Sequence, residues 1–461
     1  MQTRTIAIVG AGFSGTAAAV HLLRGDVSPP THVVLINRSG PTARGVAYGT
    51  RSDSHVLNVP AAQMSAFPDD EESFLRFARL HDPSIVAGSF APRRLYGQYL
   101  EQILHTAERE ATTATLEHYV GEAKAISVVP DGESARITFA DGRHLHAERV
   151  ILALGNYAPA NPPIGDTTFF ESPRYVRDPW MRGALGVVAK DDSVLYIGTG
   201  LTTIDIALEL RNRGVRGTMN AVSRRGLLPQ PHRSPGAPPS HAHLPPDIFE
   251  KPATAREYLR AVREHVRRLA AQGVDWREVI GSLRPVTPQL WDRLSTTERA
   301  RFLRHLRPYW EVHRHRVAPE PAAAFMQMVQ DGQIIVHAGR ITRFDVDDDY
   351  VDVTLRPRGS CETKMVRVAW VINCTGPDSN LRTLRDPLLD SLQQNGLVRP
   401  DPLALGLDTS DELALLDTNG TPSRVLYHVG PFLKSRYWEA TAVPELRVHA
   451  ARAAQAVLNS L

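Results

Sequence analysis

Short, unbroken apolar runs recur along the chain, each ended by glycine or a polar turn. Thr5-Ile6-Ala7-Ile8-Val9, His32-Val33-Val34-Leu35-Ile36, Val194-Leu195-Tyr196-Ile197 and Met219-Asn220-Ala221-Val222 have the length and β-branched content of buried strands. Two further runs, Val150–Leu154 and Val371–Cys374, lead into Gly155 and Thr375-Gly376 and begin 221 residues apart. Helical stretches alternate with these strands, from Thr16 to Leu23 and from Ile204 to Arg211. Period-two segments differ: residues 341–370, with Phe344-Asp345-Val346 and Val351-Asp352-Val353-Thr354, predict a small β-meander feeding back to the first fold. Residues 124–150 look like its counterpart. Tyr427 to Pro431 reads as a last strand and turn, and Ala440 to Leu458 as a helix packing through Val443, Leu446, Ala450 and Ala454.

Between Arg225 and about Met326 this alternation stops. Residues 227–246 are rich in proline and histidine (His232, Pro235, Pro238, Pro239, His241, His243, Pro245, Pro246) and predict a long loop. A helix from about Thr254 to Gln272 follows, with Leu259, Val262, Val266 and Leu269 on one face and Gly273 ending it. Ser295-Thr296-Thr297-Glu298 is a capping box that opens another helix, expected to run to about His315.

The first strand ends in Gly10-Ala11-Gly12-Phe13-Ser14-Gly15 and passes directly into a helix. In this arrangement Gly10 permits the turn, Gly12 lets the backbone approach a pyrophosphate, and Gly15 allows close helix–strand packing. The helix amides then face phosphates. Gly198-Thr199-Gly200-Leu201-Thr202-Thr203 repeats the pattern, with Thr203 in place of the third glycine, so that helix should pack slightly differently. The ribose-binding place after the second strand, normally acidic, is Asn37 followed by Arg38; asparagine still exchanges hydrogen bonds with ribose hydroxyls. Its equivalent in the second unit is Ser223-Arg224-Arg225-Gly226, a hydroxyl and arginines suited to a 2′-phosphate. Two such folds imply two dinucleotides: FAD in the first, and NADP in the second, nested one, with NAD left open.

Composition narrows the chemistry. The 461 residues carry 53 basic and 50 acidic side chains, too balanced for nucleic acid as the main partner. Cys361 and Cys374 are thirteen residues apart, which excludes a Cys-x-x-Cys redox pair and a cysteine metal cage; no metal site is expected. No apolar run approaches a membrane span, and the chain enters its first strand almost at once, so a cytoplasmic protein without membrane association is expected. Residues 231–330 hold sixteen Lys/Arg and ten Asp/Glu, a net +6 within a chain of +3. Trp310-Glu311-Val312-His313-Arg314-His315-Arg316 concentrates this charge, which is either a solvated face or a site for cofactor phosphates or an anionic substrate.

The sequence resembles a bacterial NAD(P)/FAD-binding family whose assigned members include flavin-dependent monooxygenases. The resemblance rests on Gly45-Val46-Ala47-Tyr48, Leu57-Asn58-Val59-Pro60, Phe90 to Gly97, Ile197 to Thr202, Ser223 to Gly226, and Trp438 to Arg447 including Ala440-Thr441. More distantly the chain is similar to ornithine and lysine N-hydroxylases. The resemblance implies an FAD-dependent, NAD(P)H-consuming monooxygenase that activates molecular oxygen and hydroxylates a small nitrogen-containing polar substrate. Amino-acid N-oxygenation, as of aspartate, and urate-type ring hydroxylation both fit; the alternative is a flavin reductase or dehydrogenase without oxygen insertion. Asn58, Val59, Met64, Gly430, Ala440 and Thr441 are then expected beside FAD, with the last helix pointing its N-terminus at the flavin. His313, Arg314 and Arg316 are the candidate contacts of an anionic substrate. The fold expected is α/β with two Rossmann-like domains: a discontinuous FAD domain over 1–160 and 327–461, and an NAD(P)H domain over 161–326 carrying a helical insertion at about 231–326. A homo-oligomer is compatible with all of this.

Overall fold

The computed structural model describes residues 4–25, 29–234, 241 and 243–461. Pro235, Pro238 and Pro239 of the expected loop lie outside the described residues. The first lobe begins β1 (Arg4–Val9), α1 (Phe13–Arg24), β2 (Thr31–Asn37), α2 (Gly45–Tyr48), α3 (Ser73–His81), α4 (Arg93–Glu110) and β3 (Ala114–Val120). A separate antiparallel sheet of β4 (Ala123–Val128), β5 (Ala135–Phe139) and β6 (His144–Ala147) precedes β7 (Arg149–Leu152). The second lobe runs β8 (Tyr175–Val176), β9 (Val194–Ile197), α5 (Leu201–Asn212), β10 (Met219–Ser223), α6 (Ala255–Ala270), α7 (Trp276–Leu283), α8 (Thr287–Arg293), α9 (Thr296–His305), α10 (Arg307–Arg314) and α11 (Pro319–Gln330). It closes with β11 (Ile334–Val346), β12 (Val351–Pro357), β13 (Lys364–Val368) and β14 (Trp370–Asn373). The chain then returns through α12 (Pro387–Gln394), β15 (Ala414–Leu416), β16 (Pro422–His428), α13 (Lys434–Tyr437) and α14 (Val443–Asn459).

The first sheet has the order β15-β16-β7-β1-β2-β3, parallel except at β15. Ile6, Ala7 and Ile8 are fully buried, which explains why β1 reads as a continuous apolar run: helices cover one face and the β4–β6 sheet with α12 covers the other. The second sheet has the order β13-β12-β11-β10-β9-β14-β8. Its strands β11-β10-β9-β14 repeat the 3-2-1-4 order of β3-β2-β1-β7, but the place beside the fourth strand is taken by β8, which precedes β9 in the chain, whereas in the first lobe it is taken by the late strand β16. In both lobes an antiparallel meander fills the connection between the third and fourth strands, so the two lobes are built alike.

Five sequence expectations need correction. The return to the first lobe is not at residue 327, because β11 and β14 pair with the second lobe's β10 and β9; the crossing comes after Asn373. The 341–370 meander therefore belongs to the second sheet, and Val371–Gly376 closes that lobe as Val150–Gly155 closes the first. The insertion also ends earlier than residue 326: α11 buries Ala322, Phe325 and Met328 in the second lobe's core and is the crossover helix between β10 and β11. The helices α6 to α10 are thus an excursion inside one βαβ unit. Within it, half of the expected capping box forms: Ser295 accepts from the Glu298 amide, while the Glu298 carboxylate accepts from the Ala255 amide of α6; Thr254 caps α6 by accepting from the Glu257 amide. The helix expected to reach His315 is broken at Leu306 because Pro308 starts a new one. The buried face of α6 is also rotated from the expected one: Ala261, His265 and Leu269 are buried while Leu259 is exposed. Among the described residues no helix is long and apolar enough to cross a membrane.

Candidate functional site

The two glycine turns have nearly the same backbone. Gly10 and Gly198 have φ of 111° and 121°, a region closed to other residues, and a Cβ on them would stand 2.2 and 2.6 Å from the carbonyl oxygens of Ala153 and Cys374. Gly12 caps α1 at φ −84°, ψ −164°, and Gly200 caps α5 at φ −88°, ψ −165°. Neither N-terminus has a side-chain cap or an acidic residue in its first turn. Gly12 and Gly200 are not required by packing: a Cβ on Gly12 would meet only Gly45 Cα at 3.6 Å, and one on Gly200 would meet nothing within 4 Å. Bare, unfilled space before two uncapped helix ends fits two pyrophosphates. At the third position the lobes differ. A Cβ on Gly15 would stand 1.8 Å from Gly10 O, whereas Thr203 is accommodated and its hydroxyl donates to Gly198 O at 2.9 Å.

Around the first turn, the residues expected at FAD gather unevenly. The Ala43 amide donates to Ala11 O at 2.9 Å, drawing the 40s loop onto the turn, and Gly45 faces Gly12. Val46 is exposed there, while Tyr48 packs on Tyr96 with its phenol held well above its usual pKa by burial. Phe13 and Ser14 are buried at the start of α1. A Cβ on Gly430 would lie 3.9 Å from both the Gly155 nitrogen and the Ser14 hydroxyl, so these three converge. Asn37 uses its side-chain amide to donate to Gly40 O at 2.8 Å, and Arg38 is exposed. Val59 and Met64 have their side chains in the core, and the Met64 amide donates to Ala61 O at 3.2 Å. The last helix starts at Val443 rather than Ala440; Ala440 is fully buried and Thr441 exposed just before it.

In the second lobe, Leu201 and Thr202 open α5, partly exposed. Ser223 shapes its turn by accepting from the Gly226 amide at 3.0 Å and from the Thr199 hydroxyl at 2.9 Å. Desolvation and then the charges of Arg225, Arg307 and Arg340 lower the Arg224 pKa, so four guanidiniums crowd this turn. Arg225 lies over the Tyr309 ring at 5.3 Å. Sequence reasoning missed Arg307 and Arg340. Arg340 follows Ala338, which pairs with Ser223 across β10 and β11, and Arg307 arrives from the insertion; neither proximity has a local sequence signal. Thr375 and Gly376 follow β14, where the Thr375 hydroxyl donates to Asn373 Oδ1 at 2.7 Å.

Contacts between lobes were also invisible in sequence. Arg93 from α4 meets Asp205 from α5 at 2.6 Å, and His55 meets Glu209 at 3.1 Å. The insertion docks on the segment before α14. Trp291 stacks on Trp438 and donates from Nε1 to Ser435 O at 2.9 Å; Trp310 donates from Nε1 to Glu439 Oε1 at 3.0 Å. Arg284 grips Glu445 through both carboxylate oxygens. His232 donates from Nε2 to Asn58 O at 2.9 Å, and burial with the Arg316 charge lowers its pKa to about 3, so it is neutral at pH 7.

The three expected substrate contacts separate. Arg314 is buried, paired with Glu439 at 2.9 Å and with Glu445 at 3.8 Å, and is a docking residue instead. His313 faces Tyr309 O at 2.8 Å through Nδ1 and sets its ring edge-on to Trp276. Only Arg316 stays without a hydrogen bond or ion pair among the described residues.

Comparisons with known proteins agree with this geometry. A family model described as FAD-NAD(P)-binding matches residues 7–157. An uncharacterized protein of Mycobacterium bovis is 22% identical, over all of this chain and 96% of its own length. Among solved structures, L-lysine 6-monooxygenase from Pseudomonas syringae matches at a TM-score of 0.68 and 16% identity, over 100% of both chains. Ornithine N-hydroxylase from Kutzneria sp. 744, determined with reduced FAD, NADP+ and L-ornithine, matches at a TM-score of 0.65 and 13% identity, over 99% of both chains. The fold is the two-dinucleotide plan of these monooxygenases.

Proposed function

We propose that the protein is an FAD- and NADPH-dependent monooxygenase that hydroxylates a small, polar, nitrogen-containing substrate. The observation that carries this reading is the pair of uncapped helix ends behind Gly12 and Gly200, open where no packing demands openness, in a fold shared with amino-acid N-hydroxylases. When bound, the flavin supplies the redox and oxygen chemistry. The chain supplies placement. The α1 and α5 amides hold the two pyrophosphates, and Arg224 and Arg225, joined by Arg307 and Arg340, hold a 2′-phosphate. Arg93–Asp205 and His55–Glu209 fix one lobe against the other, which sets how a nicotinamide in one meets a flavin in the other. The docked insertion keeps water from the reacting face. The substrate is anionic, an acidic amino acid or a urate-like ring, because the insertion's excess charge is positive.

The protein should purify yellow, with noncovalent FAD that NADPH reduces. Each arginine–phosphate contact contributes about 1.5–3 kcal/mol. Arg224→Ala with Arg225→Ala should therefore raise KM for NADPH at least tenfold and barely change that for NADH. Equal changes for both nucleotides would remove the 2′-phosphate assignment; a colourless protein that takes up no FAD would remove the enzyme class.

A further inference from the structure

A group of four arginines stands where the insertion meets the first lobe. Arg277 pairs with Asp275 at 3.1 Å, Arg284 with Glu445, and Arg314 with Glu439 at 2.9 Å. Arg316 is the fourth. Its Nε is shut off from solvent with no hydrogen-bond partner, and among the described residues no carboxylate comes within ion-pair distance of it. Desolvation, then Arg314 and Arg277, lower its pKa to about 10; the one attraction it feels from nearby acids is that of Asp275, which Arg277 already occupies. Arg277, Arg284 and Arg314 each have a carboxylate partner, Arg316 has none, and the adjacent His232 is neutral.

The position of that charge is defined by the backbone. Pro231 bridges to Val317, and the His232 amide donates to Val317 O at 2.8 Å, so Arg316 lies beside His232. His232 in turn donates to Asn58 O, on the segment expected at the flavin edge. Arg316 remains partly exposed, so a solute can reach it. An unpaired guanidinium in a poorly solvated place is costly unless something else brings the counter-charge. A guanidinium also matches a carboxylate with two parallel hydrogen bonds.

We infer that Arg316 is the anchor for a single carboxylate, or an equivalent monoanionic edge, of the substrate. This rests on the site being that of an oxygenase for an anionic substrate, and it goes beyond that reading in naming one residue and one unit of charge. Arg314, two residues earlier, holds the insertion in place and takes no part in reading the substrate.

The test uses the FAD-loaded enzyme with saturating NADP+, and L-aspartate, L-glutamate and urate as probes, titrated by the change in flavin absorbance. Arg316→Met removes the charge and keeps an apolar chain of similar reach. The expected result is that at least one probe binds the wild type in the millimolar range or tighter, and that Arg316→Met weakens it at least tenfold. FAD content, KM for NADPH and the thermal midpoint should be unchanged, or the midpoint raised, and Arg316→Lys should recover part of the affinity. The inference is overturned if no probe binds the wild type, if Arg316→Met leaves probe affinity unchanged, if KM for NADPH rises as much as the probe Kd, or if the midpoint falls by several degrees, which would mark a structural arginine. Flavin content and NADPH-driven flavin reduction judge the enzyme class separately, so either claim can fail without the other.

Discussion

Glu439 is 2% exposed, forms an ion pair with Arg314 and accepts a hydrogen bond from the Trp310 indole. Removing it strands a buried guanidinium, a change that costs about 3–5 kcal/mol. Glu439→Ala should therefore lower the thermal midpoint by several degrees, while Arg316→Met should not. That contrast separates a paired buried charge from an unpaired one, and tryptophan fluorescence on heating measures it. Glu311 gives a second handle. Burial opposes its charge, but His315, Lys434 and Arg307 outweigh it and hold its pKa at about 2, below the ordinary 4.5. A depressed carboxylate contributes stability that is complete above the unfolded value and is lost as pH falls through the folded one. The docked insertion should thus loosen between about pH 4.5 and 2, and Glu311→Gln should remove that acid step from a fluorescence titration. The i,i+4 pair of Glu311 with His315 lies within the run Trp310 to Arg316, but the docking contacts were not legible there. Spacing showed that charge was concentrated there, but the partners that neutralise Arg314 lie more than a hundred residues away.

The glycine turns are legible because their constraint is local: the first glycine takes a positive φ, the second leaves open space before the helix, and in the first lobe a third allows close helix–strand contact. The contrast between positions makes a prediction. Gly12→Val should keep the fold and lose FAD, since its Cβ would meet only Gly45 Cα, at an ordinary contact distance of 3.6 Å. Gly15→Val should fail to fold, since its Cβ would drive into Gly10 O. Near-normal far-ultraviolet circular dichroism with an empty flavin site is the expected signature of the first; full FAD occupancy would refute the assignment of that turn. Strands β1, β2, β9 and β10 were readable for the same local reason. The ownership of β11 to β14 was not, because a meander's hydrophobic alternation says which face is buried but not which sheet it joins. Pro308 was a visible breaker, yet the capping box before it suggested a single helix. The rotated face of α6 depends on what α9 and the 240s segment bring to it, and periodicity alone does not contain that.

Across the molecule, two similar lobes are held by Arg93–Asp205, His55–Glu209 and His232–Asn58, and an insertion within one lobe seals against the other. Among the described residues no group of His, Cys, Asp or Glu could hold a metal ion, and in the proposed function the residues act by placing two cofactors. The central claim is that NADPH supplies two electrons with which molecular oxygen is split, one atom entering the substrate and the other leaving as water. The direct measurement supplies the purified holoenzyme with NADPH, 18O-labelled oxygen and a panel of amino acids and purines, and follows NADPH loss beside product mass. The account predicts one preferred anionic compound that accelerates NADPH oxidation and gains one labelled oxygen atom in near-equal yield. Rapid NADPH oxidation with every compound recovered unlabelled, the electrons passing to another acceptor, would contradict it.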